Sequence, residues 1–405
     1  MKFEDFGLAP VLLDALMRAG FTEPTPIQQK SIPAQLEGRD ILGIAQTGTG
    51  KTAAFGLPIL HHIIGMKGRP SPKSCRALIL APTRELAVQI RDNLQSFAGG
   101  AKLSTCLVLG GMSRNAQIKT IGRGVDVIIA TPGRLIDLID DKAIRLDETR
   151  FVVLDEADRM LDMGFVQPVR KIVSGLHPRR QSALFSATMP KEVKGLVESF
   201  LNDPVRVDVA PQAVVVPKIS QRTELVEGPQ KRARLVELIN DPTAERVIVF
   251  ARTKRGADRV AQNLAKDGIP AEAIHGNKAQ NARQKALGKF RSGQVKVLVA
   301  TDIVSRGIDV PGITHVINFD LPDDAENYVH RIGRTGRNGA EGAAVTLCAS
   351  DEMKKLLSVE KFTGELMLAE EDRPIGKMPQ KKNPRKGPAG KNWRPRRNRN
   401  RRKAA

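Results

Sequence analysis

The sequence predicts an α/β protein made of two parallel-sheet domains and a basic tail that has no core of its own. Three observations predict it. Short, nearly continuous apolar runs alternate with helix-length segments over most of the chain, the pattern of strands covered on both faces by crossover helices. The alternation stops at a Val- and Pro-rich stretch, Val205 to Pro217, and then starts again, and 405 residues suffice for two domains at about 150 residues each. After Glu371 apolar residues become sparse and Pro, Gly, Asn, Lys and Arg dominate, a composition that cannot bury a core. The expected boundaries are a first domain at 1–208, a linker at 209–218, a second domain at 219–368 and a disordered tail at 369–405.

Charge narrows the partners. The net charge is +21, and the fourteen basic residues from Arg373 to the end, with no acidic ones among them, supply two thirds of it. Such an excess points to an anionic polymer. The tail has one aromatic, Trp393, and reads as a non-specific tether for structured RNA or, more plainly, as a solubilising run. No apolar run reaches the length of a membrane span. Met1-Lys2-Phe3-Glu4-Asp5-Phe6 lacks the plan of a signal peptide, so a cytoplasmic protein is expected. Cys75, Cys106 and Cys348 fit no metal-ligand spacing and read as reduced, buried thiols.

In chain order, Leu8, Leu12, Leu13, Leu16 and Met17 have helical spacing, and Gly20 ends that helix. Pro24 and Pro26 then suggest an extended turn that presents Gln28, whose amide suits the N6 and N7 edge of adenine. The apolar run Asp40 to Ile44 reads as a strand. It leads into Ala45-Gln46-Thr47-Gly48-Thr49-Gly50-Lys51-Thr52, and a helix can open at Ala53. Strand, glycine loop and helix is the setting of a phosphate-binding loop: backbone N–H groups surround the anion, Lys51 reaches the β- and γ-phosphates, and Thr52 holds Mg²⁺. Ala45 stands where that pattern begins with glycine.

The next strands are expected around Ala77–Leu80, Thr105–Leu109, Val125–Ile129, Phe151–Leu154 and Ala183–Phe185. Each empties into a polar turn: Pro82-Thr83-Arg84-Glu85, Gly110-Gly111, Thr131-Pro132-Gly133-Arg134, Asp155-Glu156-Ala157-Asp158 and Ser186-Ala187-Thr188. Ligands of such sheets bind beyond the C-terminal strand ends, where these turns fall. Asp155 is placed to complete the Mg²⁺ shell with Thr52, and Glu156 to orient or deprotonate an attacking water. An acidic helix start is the plainer alternative for the acids. The second half repeats the pattern, with strands at Val247–Phe250, Val295–Val299, His315–Asn318 and Ala343–Leu347, but carries no second phosphate loop. It offers Thr301-Asp302, Arg306-Gly307-Ile308-Asp309 and His330-Arg331-Ile332-Gly333-Arg334-Thr335-Gly336-Arg337 instead. Arg334 and Arg337, one helical turn apart, suit the charge of a γ-phosphate in its transition state. ATP bridging two halves, with a polymer lying across both, makes each ligand favour the same closed state.

In order and spacing these segments resemble the DEAD-box RNA helicases, from the Gln motif through motifs I, Ia, GG, Ib, II, III, IV, IVa, V and VI, over Phe3 to Leu347. His275-Gly276-Asn277-Lys278 and Phe319-Asp320-Leu321-Pro322 are similar to the bacterial RhlE-like branch, and Ala45 is common in the family. The resemblance implies two RecA-like domains and ATP-dependent local melting of short RNA duplexes without translocation. It implies that Phe3 stacks on adenine while Gln28 reads its edge, and that Asp309 contacts the ribose. It further implies that Asp158, Ser186, Thr188 and His330 couple hydrolysis to unwinding. RNA would lie on Pro82, Thr83, Arg84, Gly111, Thr131 and Arg134 in the first half and on Arg252, Gln280, Arg283 and Thr301 in the second. Such contacts go to phosphate and ribose, so sequence is not read and the 2′-hydroxyl marks RNA. A DNA helicase of the same superfamily and an ATP-gated RNA clamp or annealing chaperone are the rival functions. Ribosome assembly and RNA decay are both plausible settings.

Overall fold

The computed structural model describes residues 1–45, 48–209, 219–302, 310, 312–336 and 341–368. Met1–Leu368 is one compact unit holding two sheets. The first sheet contains β1 (Ile41–Ile44), β2 (Cys75–Leu80), β3 (Thr105–Val108), β4 (Val125–Ala130), β5 (Phe151–Leu154), β6 (Gln181–Ser186) and β7 (Val205–Asp208). Its spatial order is β3-β4-β2-β5-β6-β1-β7. The second contains β8 (Ile219–Leu225), β9 (Val247–Phe250), β10 (Ala271–Ile274), β11 (Val297–Ala300), β12 (His315–Asn318) and β13 (Gly342–Cys348), in the order β10-β11-β9-β12-β13-β8. Every pairing in both sheets is parallel.

The helices of the first half are α1 (Pro10–Arg18), α2 (Pro26–Leu36), α3 (Lys51–Gly65), α4 (Arg84–Ala98), α5 (Arg114–Ile121), α6 (Pro132–Asp140), α7 (Ala157–Asp162), α8 (Val166–Ser174) and α9 (Lys191–Phe200). Those of the second are α10 (Lys231–Asn240), α11 (Lys254–Lys266), α12 (Gln280–Arg291), α13 (Ala325–Ile332) and α14 (Met353–Thr363). The continuous apolar strands follow from two-sided burial. Ile79, Val127 and Val153 pack with Leu12, Phe55, Leu57 and Ile90 from α1, α3 and α4. Their neighbours Leu78, Ile128 and Val152 face the other way, onto Leu135, Met160, Ile172 and Leu196 from α6 to α9. Each strand therefore serves two cores and has no polar face to show.

The expected strands are present. The apolar-run criterion passes over β8 and β10, because both lie at sheet edges. β8, Ile-Ser-Gln-Arg-Thr-Glu-Leu, is only half buried along its length, as suits an edge. The extended turn expected before Gln28 is corrected. Pro26 is the first residue of α2, a position where its missing N–H costs nothing, and Gln28 lies on the helix's first turn. The three cysteines are free and buried, and burial pushes the Cys75 thiol up to about 12 and those of Cys106 and Cys348 to about 11, so all three are inert. No helix among the described residues is long and apolar enough to cross a membrane. The linker from 210 to 218 and the tail from 369 lie outside the described residues.

Gly43 in β1 tests the packing between sheet and helices. A Cβ there would sit 2.5 Å from the Phe185 ring, itself wedged against Phe55. Gly43→Ala is expected to destabilise the protein by about 1–3 kcal/mol through overpacking, read as a lower urea midpoint at unchanged slope.

Candidate nucleotide and RNA site

The phosphate loop leaves the C-terminal end of β1 and enters α3 through Gly50, which takes the left-handed backbone (φ 89°). A Cβ at Gly50 would meet the Gln28 amide nitrogen at 2.4 Å. Backbone angle and neighbour together require glycine. Gln28 is buried and occupied at both ends: its Oε1 accepts from the Thr25 N–H at 2.9 Å and its Nε2 donates to the Gly50 carbonyl at 3.0 Å. The Thr25 hydroxyl donates to the Thr49 carbonyl at 2.8 Å. The start of α2 thus braces the phosphate loop from behind. Gln46 and Thr47 lie outside the described residues.

Lys51 is 6% exposed and donates to the Ala45 carbonyl at 3.1 Å, with its ammonium 4.0 Å from Asp155 Oδ1. Asp155 directly follows β5, which flanks β6 on the side opposite β1. Burial pushes the Asp155 carboxyl up to about 6, opposed by Lys51 and reinforced by Glu156. Glu156 follows in the left-handed region (φ 52°), an uncommon conformation for a residue with a side chain, and donates its N–H to Asp155 Oδ1 at 2.9 Å. Its carboxylate pairs with Arg159 at 2.5 Å. Thr52 lies half-buried on the first turn of α3.

Asp158 joins two of the expected segments. Its Oδ2 accepts from the N–H groups of Ala187 and Thr188 at 3.1 and 2.8 Å and from the Thr188 hydroxyl at 2.9 Å. Its own N–H donates to Ser186 Oγ at 3.2 Å, and Ser186 Oγ donates to the Thr188 carbonyl at 2.7 Å. One carboxylate thereby fixes the loop leaving β6 to the first turn of α7.

On the neighbouring strand ends, Thr83 Oγ1 caps α4 by accepting from the Leu86 N–H. Arg84 lies over Gly110 and Gly111, where a Cβ on Gly111 would come within 2.6 Å of the guanidinium. Arg134, beside the buried Thr131, reaches the Met112 carbonyl and Asp137. Pro82 is buried at the start of the same turn. These residues form a continuous border along the C-terminal ends of β2, β3 and β4.

The second half departs from expectation at two residues. Gln280 and Arg283, expected to meet RNA, are 2% and 6% exposed and face Glu85 of α4. Arg283 Nη2 lies 2.6 Å from Glu85 Oε2, and Gln280 Nε2 donates to Glu85 Oε1 at 3.4 Å. They act here as a clasp between α12 and α4, and burial lowers the Arg283 pKa against the opposing pull of Glu85. Phe3 is buried: it is 4% exposed, and its ring makes T-shaped contacts with Phe6 and Phe21. Arg252 is exposed and borders a groove of about 600 Å³ with Lys254, Asn277, Thr301 and Asp302. Arg334 is buried and donates Nε–H to the His330 carbonyl at 3.1 Å. Asp309 and Arg337 lie outside the described residues.

The sequence reading gave no role to two residues that the structure ties in. Glu85 is named there only as the last residue of the polar turn Pro82-Thr83-Arg84-Glu85. Arg331 reads as part of a basic run, yet it is 1% exposed and makes a two-pronged pair with Asp302 at 2.6 and 2.8 Å. It also donates to Asn318 Oδ1 and the Asp320 carbonyl and lies 4.9 Å over the Phe250 ring.

Comparison with known proteins places these segments. Residues 25–196 match the model of the DEAD/DEAH box helicase family and residues 230–339 that of the helicase conserved C-terminal domain. The chain is 42% identical over 367 residues to the DEAD-box ATP-dependent RNA helicase CshA of Bacillus subtilis, covering 91% of this chain and 73% of that protein. It is 43% identical over 365 residues to DEAD-box ATP-dependent RNA helicase 30 of Arabidopsis thaliana, covering 90% of this chain but only 62% of the relative's length. Among solved structures, that of Saccharomyces cerevisiae Dbp5 bound to RNA and ADP BeF3 superposes with a TM-score of 0.78 at 32% identity, covering 91% of this chain and 94% of that one.

The clasp predicts a measurable coupling. In a double-mutant cycle of Glu85→Ala and Arg283→Ala, followed by chemical unfolding, the two changes should be non-additive by about 1–3 kcal/mol. Additive effects would mean that the two side chains do not meet in solution.

Proposed function

This chain belongs to the DEAD-box ATP-dependent RNA helicases, and on that premise we propose that it hydrolyses ATP in response to RNA and uses the cycle to melt short RNA duplexes locally. The buried Lys51–Asp155 pair at the ends of β1 and β5 carries the reading. The braced loop of Gly48, Thr49 and Gly50 would present backbone N–H groups to the phosphates, and Ala45, Gln46 and Thr47 belong to the same phosphate-binding sequence. Lys51 is placed to move from the Ala45 carbonyl onto a phosphate oxygen. Thr52 and Asp155 are the residues that would hold Mg²⁺, which when bound neutralises phosphate charge. The donor set, one carboxylate and one hydroxyl, fits that ion, since Mg²⁺ is commonly held by one or two carboxylates plus substrate phosphates.

Glu156 is the proposed water-orienting base, aimed by its pair with Arg159. Arg334 and Arg337 are the proposed fingers, and Asp309 the ribose contact. Asp158, Ser186 and Thr188, with His330, would pass the state of the phosphate site to the RNA border. RNA would follow Pro82, Thr83, Arg84, Gly111, Thr131 and Arg134, then cross to Arg252 and Thr301, with Gln280 and Arg283 holding the two halves together beneath it. On the residues His275–Lys278 and Phe319–Pro322 we place the chain in the RhlE-like branch, and we propose a cytoplasmic setting and work on ribosomal precursors or RNA decay.

ATP turnover measured with RNA, with single-stranded DNA and without polymer tests the reading, using Lys51→Ala as blank. Stimulation by RNA at least tenfold above that by DNA is expected. Glu156→Gln should retain ATP and RNA binding while turnover falls about 10²-fold or more. Turnover indifferent to RNA would favour a clamp, and equal stimulation by DNA a DNA helicase. Deleting Arg373 to Ala405 should weaken RNA binding and flatten its dependence on salt; an unchanged salt slope would leave the tail a solubilising role only.

A further inference from the structure

The first sheet has a second concave surface, at the end opposite the nucleotide and RNA border. It is a groove of about 1110 Å³ where β4 begins, where α3 and α4 end, and beside the segment leading into β3. Its floor is aliphatic, from Leu60, Ile63, Ile64 and Leu103, and Ile64 is 38% exposed. Around it stand Arg69, Lys102, Lys119 and Arg123, all exposed and none with an ion-pair or hydrogen-bond partner among the described residues.

The groove is pre-built. Arg76 Nη1 pairs with Asp126 at 2.9 Å, and its Nη2 donates to the Lys67 and Gly68 carbonyls. Asp126 Oδ2 accepts from the Ser104 N–H and hydroxyl at 3.0 and 2.6 Å. One partly buried pair therefore pins three walls: the loop after α3, the start of β4 and the approach to β3. Gly124 closes the corner, since a Cβ there would lie 2.3 Å from the Pro70 carbonyl oxygen. The pairing has an electrostatic consequence. Asp126 is the only acidic residue among the described residues that line the groove, and Arg76 already pairs with it. Four cations are left facing outward over an apolar floor.

We propose that this groove docks an extended protein segment in which acidic and aliphatic residues alternate. The groove exceeds the upper end of ordinary small-molecule sites, about 1,000 Å³, so its size suits a stretch of chain. Charge complementarity requires an anionic occupant. The floor decides between anions: no aromatic ring lines it for bases to stack on, and a phosphate backbone would leave the aliphatic surface uncovered. A segment with carboxylates toward the four cations and Leu- or Ile-sized side chains toward the floor satisfies both. The chain's own tail is basic and is excluded as occupant.

The test uses the full-length chain and a fluorescein-labelled eight-residue peptide of alternating Glu and Leu, with octaglutamate and a 12-base-pair RNA duplex as comparators. The same Glu-Leu peptide carrying a central benzophenone is cross-linked, and the adducts are mapped by mass spectrometry. Binding of the Glu-Leu peptide should weaken at least tenfold in Arg69→Glu/Lys102→Glu/Arg123→Glu and at least fivefold in Ile64→Ser/Leu103→Ser. Octaglutamate should bind at least fivefold more weakly, and the adducts should fall within residues 60–69, 101–104 and 119–126. RNA-stimulated ATP turnover should be unchanged in both variants and reports that they are folded. Adducts confined to the basic tail, or equal binding of the two peptides, would overturn the proposal. Loss of duplex binding and RNA stimulation in the charge variant with peptide binding intact would reassign the groove to RNA.

Discussion

Removing the Lys51 ammonium and the Asp155 carboxylate from water costs several kcal/mol per ion before any compensation, and their mutual distance of 4.0 Å is too long for a hydrogen bond. The pair is therefore not arranged for stability. Lys51 spends a donor on the Ala45 carbonyl, and Asp155 accepts from the Glu156 N–H while its carboxyl remains raised to about 6. Neither charge is hydrogen-bonded by the other. A polyanion with a divalent cation would give each a closer opposite charge, which is a physical reason to place a ligand there. The strained backbone of Glu156 fits the same logic, since a side chain in the left-handed region persists only where its surroundings over-determine it.

The surroundings do over-determine it, by a short chain of bonds across adjacent strand ends. Asp158 holds the Ala187–Thr188 backbone, and Ser186 closes the ring. A shift at the first turn of α7 cannot leave the loop after β6 in place. Behind the phosphate loop, Gln28 gives the same rigidity by joining Thr25 to Gly50. Because Gln28 spends both ends of its amide on backbone, any adenine contact would have to use its remaining N–H or lone pair, or rearrange the brace. Any nucleotide reading by Gln28 would thus be linked to the position of the loop.

Much of this was legible in the sequence because parallel sheets leave a simple record. Strands buried on both faces are written as apolar runs, and their loops gather at one end, so Asp155, Ser186, Thr83 and Thr131 could be brought together without coordinates. Legibility failed where a residue's partner lies far along the chain. Arg283 reads as a surface cation until Glu85, distant in sequence, is known to face it. Arg331 is indistinguishable by type from its basic neighbours, and only Asp302, Asn318 and the Phe250 ring draw it inside. β8 and β10 failed for the opposite reason, since edge strands need only half an apolar pattern. Pro26 misled because its fixed φ serves an extended turn and a helix start equally well, and the capping contact of Gln28 with Thr25 decides between them.

The same topology separates the groove at the start of β4 from the chemistry at the strands' other ends. α3 begins at Lys51 and ends against the groove floor, and β4 runs from Asp126 toward Thr131, so the two surfaces share rigid elements. Shared elements do not by themselves transmit a signal; coupling needs an element with two arrangements that both sites bias. The Arg76–Asp126 pair argues that the groove end has one arrangement, since it fixes three walls through bonds that an occupant need not break. A docked segment would then add local concentration rather than change the catalytic cycle. Such a surface would serve to deliver the protein to a larger assembly and would leave the contacts of the phosphate site as they are.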